Sequence, residues 1–214
     1  MQGIFSAPSA SIKKGMLVPY DPDQHHRRSI RLQKYDYSSA GRYFLTLCTE
    51  HRIPFFGAIA DKTMTLNTAG EMVLAWWKKL PGKYPAVHCD EQVMMPNHFH
   101  GILCISGSPV AERGENMVLL QNRRRGLGQY VSWFKRMTTT AYIRGVEQLG
   151  WKPFPGKLWQ RNYWEHIVRD NDELDRIRKY IRNNPAKWEI DKLHLGTNAV
   201  HEPSAEYMYE PWMV

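Results

Sequence analysis

Cysteine is scarce in this chain. Only Cys48, Cys89 and Cys104 occur, an odd number with no CxxC pair, so a disulfide framework is not expected. Long hydrophobic runs are also missing. The longest, around Met72–Trp77, falls far short of the ~18 residues that span a bilayer. The first thirty residues hold no apolar stretch of the kind that leads a secreted chain. These absences predict a cytoplasmic protein without membrane association. Acidic residues are in deficit, with 21 Asp and Glu against 29 Lys and Arg, a net charge of +8 and a pI near 9.4. That balance points to a polyanionic partner. The 43% hydrophobic content of the 214 residues is enough for a real core and excludes wholesale disorder.

The pattern divides the chain into a basic arm over residues 1–39, a domain over 40–190 and a turn-rich tail over 191–214. The arm carries His25, His26, Arg27, Arg28, Arg31 and Lys34. It reads equally as a segment that lies along nucleic acid and as an extension with no contact. Within the domain, Arg42–Glu50 alternates apolar and polar residues as a strand does, and Thr63–Leu66 is a second short strand. A helix capped by Asn67 or Thr68 runs to about Lys79 and is ended by Pro81–Pro85. Val87–Met95 and His98–Ile105 form a hairpin about Pro96 and Asn97. A polar loop over 106–126 precedes a long helix, Leu127–Leu149, with Tyr130, Trp133, Phe134, Met137 and Ala141 on one side. A further strand falls in Leu158–Arg169. The last helix, Asp172–Asn183, is capped by Asp170 or Asn171, carries Leu174, Ile177 and Ile181 as its apolar stripe, and is stopped by Pro185. Strands and helices alternate, which predicts an α+β fold with helices packed on a central antiparallel sheet.

Two constellations carry chemistry. On a strand, residues two apart share a face, so His98 and His100 present two imidazoles side by side, with Phe99 directed to the other face. Such a pair is a half-built metal site, and by itself a weak signal for one; the other reading is two satisfied or surface histidines. In the last helix, Tyr180 and Asn184 lie four residues apart on one face, flanking the apolar stripe. They fit a seam where helix meets sheet, opposite the imidazoles. Taken alone, they fit a packing tyrosine and a C-terminal cap.

Together these stretches carry a resemblance. The order strand, Met95-Pro96-Asn97-His98-Phe99-His100, long basic helix, Trp159-Gln160-Arg161-Asn162-Tyr163-Trp164-Glu165-His166, then Tyr180-Ile181-Arg182-Asn183-Asn184-Pro185 is similar to the single-tyrosine transposases of the HUH endonuclease superfamily. It looks closest to their REP-associated branch, and it covers roughly residues 42 to 190. The resemblance implies the ferredoxin-like or RRM-like HUH fold. It implies His98 and His100 as ligands of Mg²⁺ or Mn²⁺, Asn184 as a third polar ligand, and Tyr180 as the catalytic nucleophile. Single-stranded or hairpin DNA is the implied substrate, handled by a monomer or homodimer in the bacterial cytoplasm, at the nucleoid. The arm and tail depart from the minimal family domain.

The chemistry suits these residue types. Two neutral imidazoles and an amide leave a divalent ion its full charge for a phosphodiester oxygen, and a phenol is a far better nucleophile near neutral pH than an alcohol. Attack by the phenol gives a 5′-phosphotyrosine that conserves the cleaved bond for rejoining. Single-strand grooves combine positive charge with aromatic platforms. The candidates for contact with DNA are Arg123, Arg124 and Arg125, then Lys135 and Arg136 on the long helix, and Arg161 beside Trp159, Tyr163 and Trp164. His166 stands either beside the metal ligands or in the core. The competing readings are a non-mobilising protein that binds repeat hairpins with the same fold, and a replication or mobilisation initiator. The latter usually carries more domains and another order of histidines and tyrosine.

Overall fold

A computed structural model describes residue 32 and residues 35–106 and 125–194. The expected basic arm up to residue 31, most of the loop over 107–124 and the tail from 195 lie outside the described residues.

The chain begins its sheet with β1, Gly41–Cys48. Its expected alternation is present, but both faces are buried from Tyr43 to Cys48. The reason is topological, since β1 runs down the middle of a four-stranded antiparallel sheet flanked by β5, His98–Ile105, and β6, Trp164–Val168. β4, Val87–Met94, pairs with β5 at one edge, giving the order β4-β5-β1-β6. Two helices connect these strands, α1 (Thr68–Lys78) between β1 and β4, and α3 (Leu127–Leu149) between β5 and β6. Two interleaved strand–helix–strand units with this strand order make the ferredoxin-like arrangement. The expected α+β class and antiparallel sheet are what the chain forms.

Helix starts follow local chemistry. Asn67 caps α1 by accepting the Gly70 amide at 2.9 Å, and its own amide group donates to the Phe55 carbonyl at 2.9 Å. Pro81 does not simply end this helix. It opens a further helical turn, α2 (Leu80–Lys83), because proline fits a first turn whose N–H needs no partner. α3 ends at Gly150, whose φ of 69° is left-handed. A strand the sequence reading did not anticipate, β2 (Gly57–Ala60), pairs with β3 (Thr63–Leu66). Asp61 and Lys62, both with left-handed φ, form the two-residue turn between them.

The two faces of the sheet are covered differently. On one face, Tyr43, Leu45, Leu47, Phe99 and Leu103 meet α1 and α3 through Val73, Trp77, Val131, Phe134 and Tyr142 in one large core. The buried side of α3 differs from the expected one: Leu127, Val131, Thr138 and Tyr142 join Tyr130 and Phe134, whereas Trp133, Met137 and Ala141 are half-buried. Gly101 in the middle of β5 leaves room for Trp77, since a Cβ there would lie 2.9 Å from that ring. On the other face, Phe44, Ile102 and Val168 meet Leu174, Ile177 and Ile181 of α4, Asn171–Asn183, in a smaller core. No helix among the described residues is long and apolar enough to cross a membrane. The folded body exceeds the expected domain at both ends. Tyr35 and Tyr37 pack against the large core, the Tyr37 carbonyl accepts the Leu127 amide at 2.9 Å, and Leu193 is buried.

Candidate metal and nucleophile site

The site is built on the α4 face of the sheet, and its first fixed point is the β4–β5 turn. The Asn97 amide group donates from Nδ2 to the carbonyls of Arg52, at 3.0 Å, and Leu193, at 2.8 Å. Two acceptors on Nδ2 fix the orientation of the amide, so Oδ1 is the atom 2.8 Å from His98 Nδ1. Oδ1 only accepts, so His98 carries its proton on Nδ1 and its lone pair on Nε2. His100 Nδ1 lies 2.8 Å from Oγ1 of Thr46, its partner on β1, a hydroxyl that can donate or accept.

Both Nε2 atoms are therefore turned inward. The rings lie 4.7 Å apart between centroids. Both side chains are buried, and neither Nε2 has a hydrogen-bond partner among the described residues. Burial pushes His98 down to about 3, with the Arg52 charge adding to the effect, and it holds His100 well below the ordinary histidine value. Both imidazoles are neutral at neutral pH. Asn184 is near enough to His98 to oppose that shift. It does so without hydrogen-bond geometry, since Asn184 Oδ1, also buried, has no partner among the described residues.

Asn184 ends α4 but does not cap it with its side chain. The chain runs on into a 3₁₀ turn over Pro185–Ile190. Beyond that turn comes a residue placed outside the domain by sequence reasoning. Asp191 Oδ2 lies 3.7 Å from His98 Nε2, and burial raises its carboxyl, an effect the Leu193 amide opposes.

Tyr180 completes the group. Its ring centroid is 5.4 Å from that of His100, and Phe44 meets it edge-on at 6.0 Å. The tyrosine and the histidines come from one chain. The helix that brings them together is anchored at both ends. Asp170 caps it through the Glu173 amide at 2.7 Å. Glu173 in turn accepts from the Arg169 amide and from His166 Nε2, the latter at 2.9 Å. His166 is thus a tether for the start of α4. Nearer Tyr180, Arg178 grips both oxygens of Asp90 at 3.0 and 2.6 Å, and Arg182 binds Glu91 at 2.6 Å. Asp90 and Glu91 sit in the bulge of β4, where the register shifts between Cys89 and Gln92. Burial of Leu174, Ile177 and Ile181 contributes roughly 1.5–3 kcal/mol each and holds the helix down. The partly exposed ion pairs contribute at most about 1 kcal/mol and set its register.

The buried Nε2 atoms of His98 and His100 and the buried Oδ1 of Asn184, none with a partner among the described residues, are donors of the kind a divalent cation takes. Among the described residues no three His, Cys, Asp or Glu side chains gather closely enough to hold a metal ion. Nitrogen-rich ligation of this kind suits Mn²⁺ as well as Mg²⁺.

Against known proteins, no family model matches the sequence. A protein of Haemophilus influenzae, described as uncharacterized, is 38% identical over 189 residues, spanning 84% of this chain and 99% of that protein. The chain belongs to that protein's family. Among solved structures, one described as a REP-associated tyrosine transposase bound to a REP hairpin is similar at a TM-score of 0.47 and 15% identity, over 82% of this chain and 96% of that chain.

The basic residues expected at DNA part company. Arg123 and Arg124 lie outside the described residues. Arg125 and Arg136 are exposed and line an open cleft of about 1160 Å³ with Tyr35, Tyr37, Tyr84 and Trp133. The Arg125 guanidinium sits 5.3 Å from the Tyr84 ring centre. This cleft shares no residue with the histidine site. Arg161 is exposed. Lys135 requires a correction: its ammonium is turned inward and donates to the carbonyls of Gln160 and Asn162, each at 2.8 Å, and burial lowers it to about 8. Its charge fastens the 160–162 loop to α3. Trp159 and Tyr163 belong to the large core, with Trp159 Nε1 donating to Thr138 at 2.9 Å. Asp191, Asn97 and Thr46 were missed because their roles arise only from long-range contacts.

Proposed function

We propose that the chain is a metal-dependent DNA transposase that nicks and rejoins single-stranded or hairpin DNA, with Tyr180 as nucleophile. The observation that carries this reading is the position of the Tyr180 ring beside His100, on the side where two neutral imidazoles and the Asn184 oxygen are buried without partners. His98, His100 and Asn184 would hold Mg²⁺ or Mn²⁺. When bound, such an ion withdraws charge from a phosphate oxygen and eases in-line displacement. Asn97 keeps His98 in the tautomer that offers its Nε2 lone pair, and Thr46 holds the His100 ring by its Nδ1.

The Tyr180 oxygen attacks phosphorus, and the bond from phosphorus to the 3′-oxygen breaks. The phenol proton is lost as the leaving oxygen takes one up, so the products are a 5′-phosphotyrosine and a free 3′-hydroxyl. Attack by another 3′-hydroxyl reverses the step and reseals DNA without an outside energy source. The basic character of the chain and its exposed Arg125, Arg136 and Arg161 suit a polyanion. Tyr180 adjoins its own chain's histidines, which supports a site that one subunit completes.

The test uses single-stranded hairpin oligonucleotides labelled at either end, with Mg²⁺ or Mn²⁺. The expected product is a denaturant-resistant adduct that retains the 3′ label and disappears in Tyr180→Phe. Binding without an adduct in either metal would instead identify a hairpin-binding protein that performs no chemistry.

A further inference from the structure

The chain that follows the tyrosine helix returns to the histidines. Trp188 in the 3₁₀ turn is buried with its ring 6.0 Å from that of His98. Arg52, which like His51 has a left-handed φ, donates from its guanidinium to the Lys192 carbonyl at 3.0 Å. Asn97 donates to the Leu193 carbonyl at 2.8 Å, and the same amide orients His98. The 191–193 stretch is therefore locked to the hairpin that carries the imidazoles. Asp191 Oδ1 accepts the Leu193 amide at 2.7 Å, which leaves Oδ2 as the oxygen 3.7 Å from His98 Nε2.

That separation is too long for a hydrogen bond. It leaves the carboxylate within reach of a metal at His98 through one bound water. The other members of the set, two neutral imidazoles and an amide, bring no negative charge, and the buried Arg52 brings a positive one. Among the described residues, Asp191 is the carboxylate set against these imidazoles, and it is the counter-charge for a dication there.

We propose that Asp191 is the anionic member of the cation site, holding the metal through one bound water and setting its affinity before DNA binds. This rests on the reading that His98, His100 and Asn184 bind a divalent cation. It also makes the segment just after the 3₁₀ turn part of the site.

The experiment titrates the full chain with Mn²⁺ in the absence of DNA and follows free ion by electron paramagnetic resonance. Asp191→Asn keeps the acceptor for the Leu193 amide and removes only the charge. It is expected to weaken Mn²⁺ binding by about 10- to 100-fold. Asp191→Glu restores the charge and is expected to bind several-fold more tightly than Asp191→Asn; it also guards against a variant that merely misfolds. Thermal unfolding without metal monitors the fold of both. Equal affinity for wild type and Asp191→Asn, with binding abolished in His100→Ala, would overturn the role of Asp191 and leave the metal site standing. Equal weakening in the Asn and Glu variants would assign the residue to structure alone. No Mn²⁺ binding by the wild type would remove both readings.

Discussion

The two faces of the sheet are built on opposite terms. Toward α1 and α3 the contacts are between large apolar and aromatic rings, Trp77 with Phe99 and Phe134, and Phe56 with Trp159. Toward α4 a smaller apolar cluster is interrupted by Thr46, His98, His100, His166, Glu173 and Asn184, all buried. Polar atoms without partners are expensive to bury, and they persist here on the face that carries the tyrosine. One face stabilises the fold, and the other uses part of that stability to bury His98 Nε2, His100 Nε2 and Asn184 Oδ1 without partners among the described residues.

That contrast can be broken by paired substitutions. Phe134→Ala on the apolar face is expected to cost about 3–5 kcal/mol in denaturant unfolding. His100→Leu on the other face removes an unpartnered buried nitrogen but also strands the Thr46 hydroxyl, and is expected to cost about 1–3 kcal/mol while abolishing cleavage. A large loss of stability in His100→Leu would mean that both faces are structural.

Acidification sharpens the comparison. His98 and His100 have folded values depressed below that of the unfolded chain, near 6.5. The unfolded state therefore binds more protons in that window. The stability these neutral rings contribute is fully present above about pH 6.5 and is lost as pH falls toward about 3 for His98. The slope is roughly 1.4 kcal/mol per pH unit for each ring. Urea unfolding between pH 7.5 and 4.5 measures it, and His100→Leu should flatten the dependence.

The smallest effect concerns register. Arg178→Ala removes the grip on Asp90 and is expected to lower stability by no more than about 1 kcal/mol. Cleavage should fall by more than that loss implies, because Tyr180 lies on the same helix. Equal proportional losses would show that the pair only stabilises.

Much of this arrangement was legible from periodicity. The two-residue repeat placed His98 and His100 on one face, and the four-residue step placed Tyr180 with Asn184; the structure brings all four together. β2 escaped because Gly57–Ala60 is short and nearly featureless and gains its identity only by pairing with β3. Lys135 read as a solvent-facing charge, because nothing local shows that carbonyls 25 residues downstream consume its donors. Asp191 and Asn97 lay beyond the same horizon. Their partners are fixed by the return of the chain past Arg52, a contact across 140 positions.

Because the hairpin histidines lie near the middle of the chain and the phenol, the amide and Asp191 come from residues 180 to 191, the site closes only when the last elements dock. On the ribosome, the sheet's apolar side can assemble while that stretch is still untranslated. On the proposed reading, a nascent chain would lack the phenol and the amide until residues 180–191 are made, and proteolytic clipping ahead of α4 would remove both while sparing the large core.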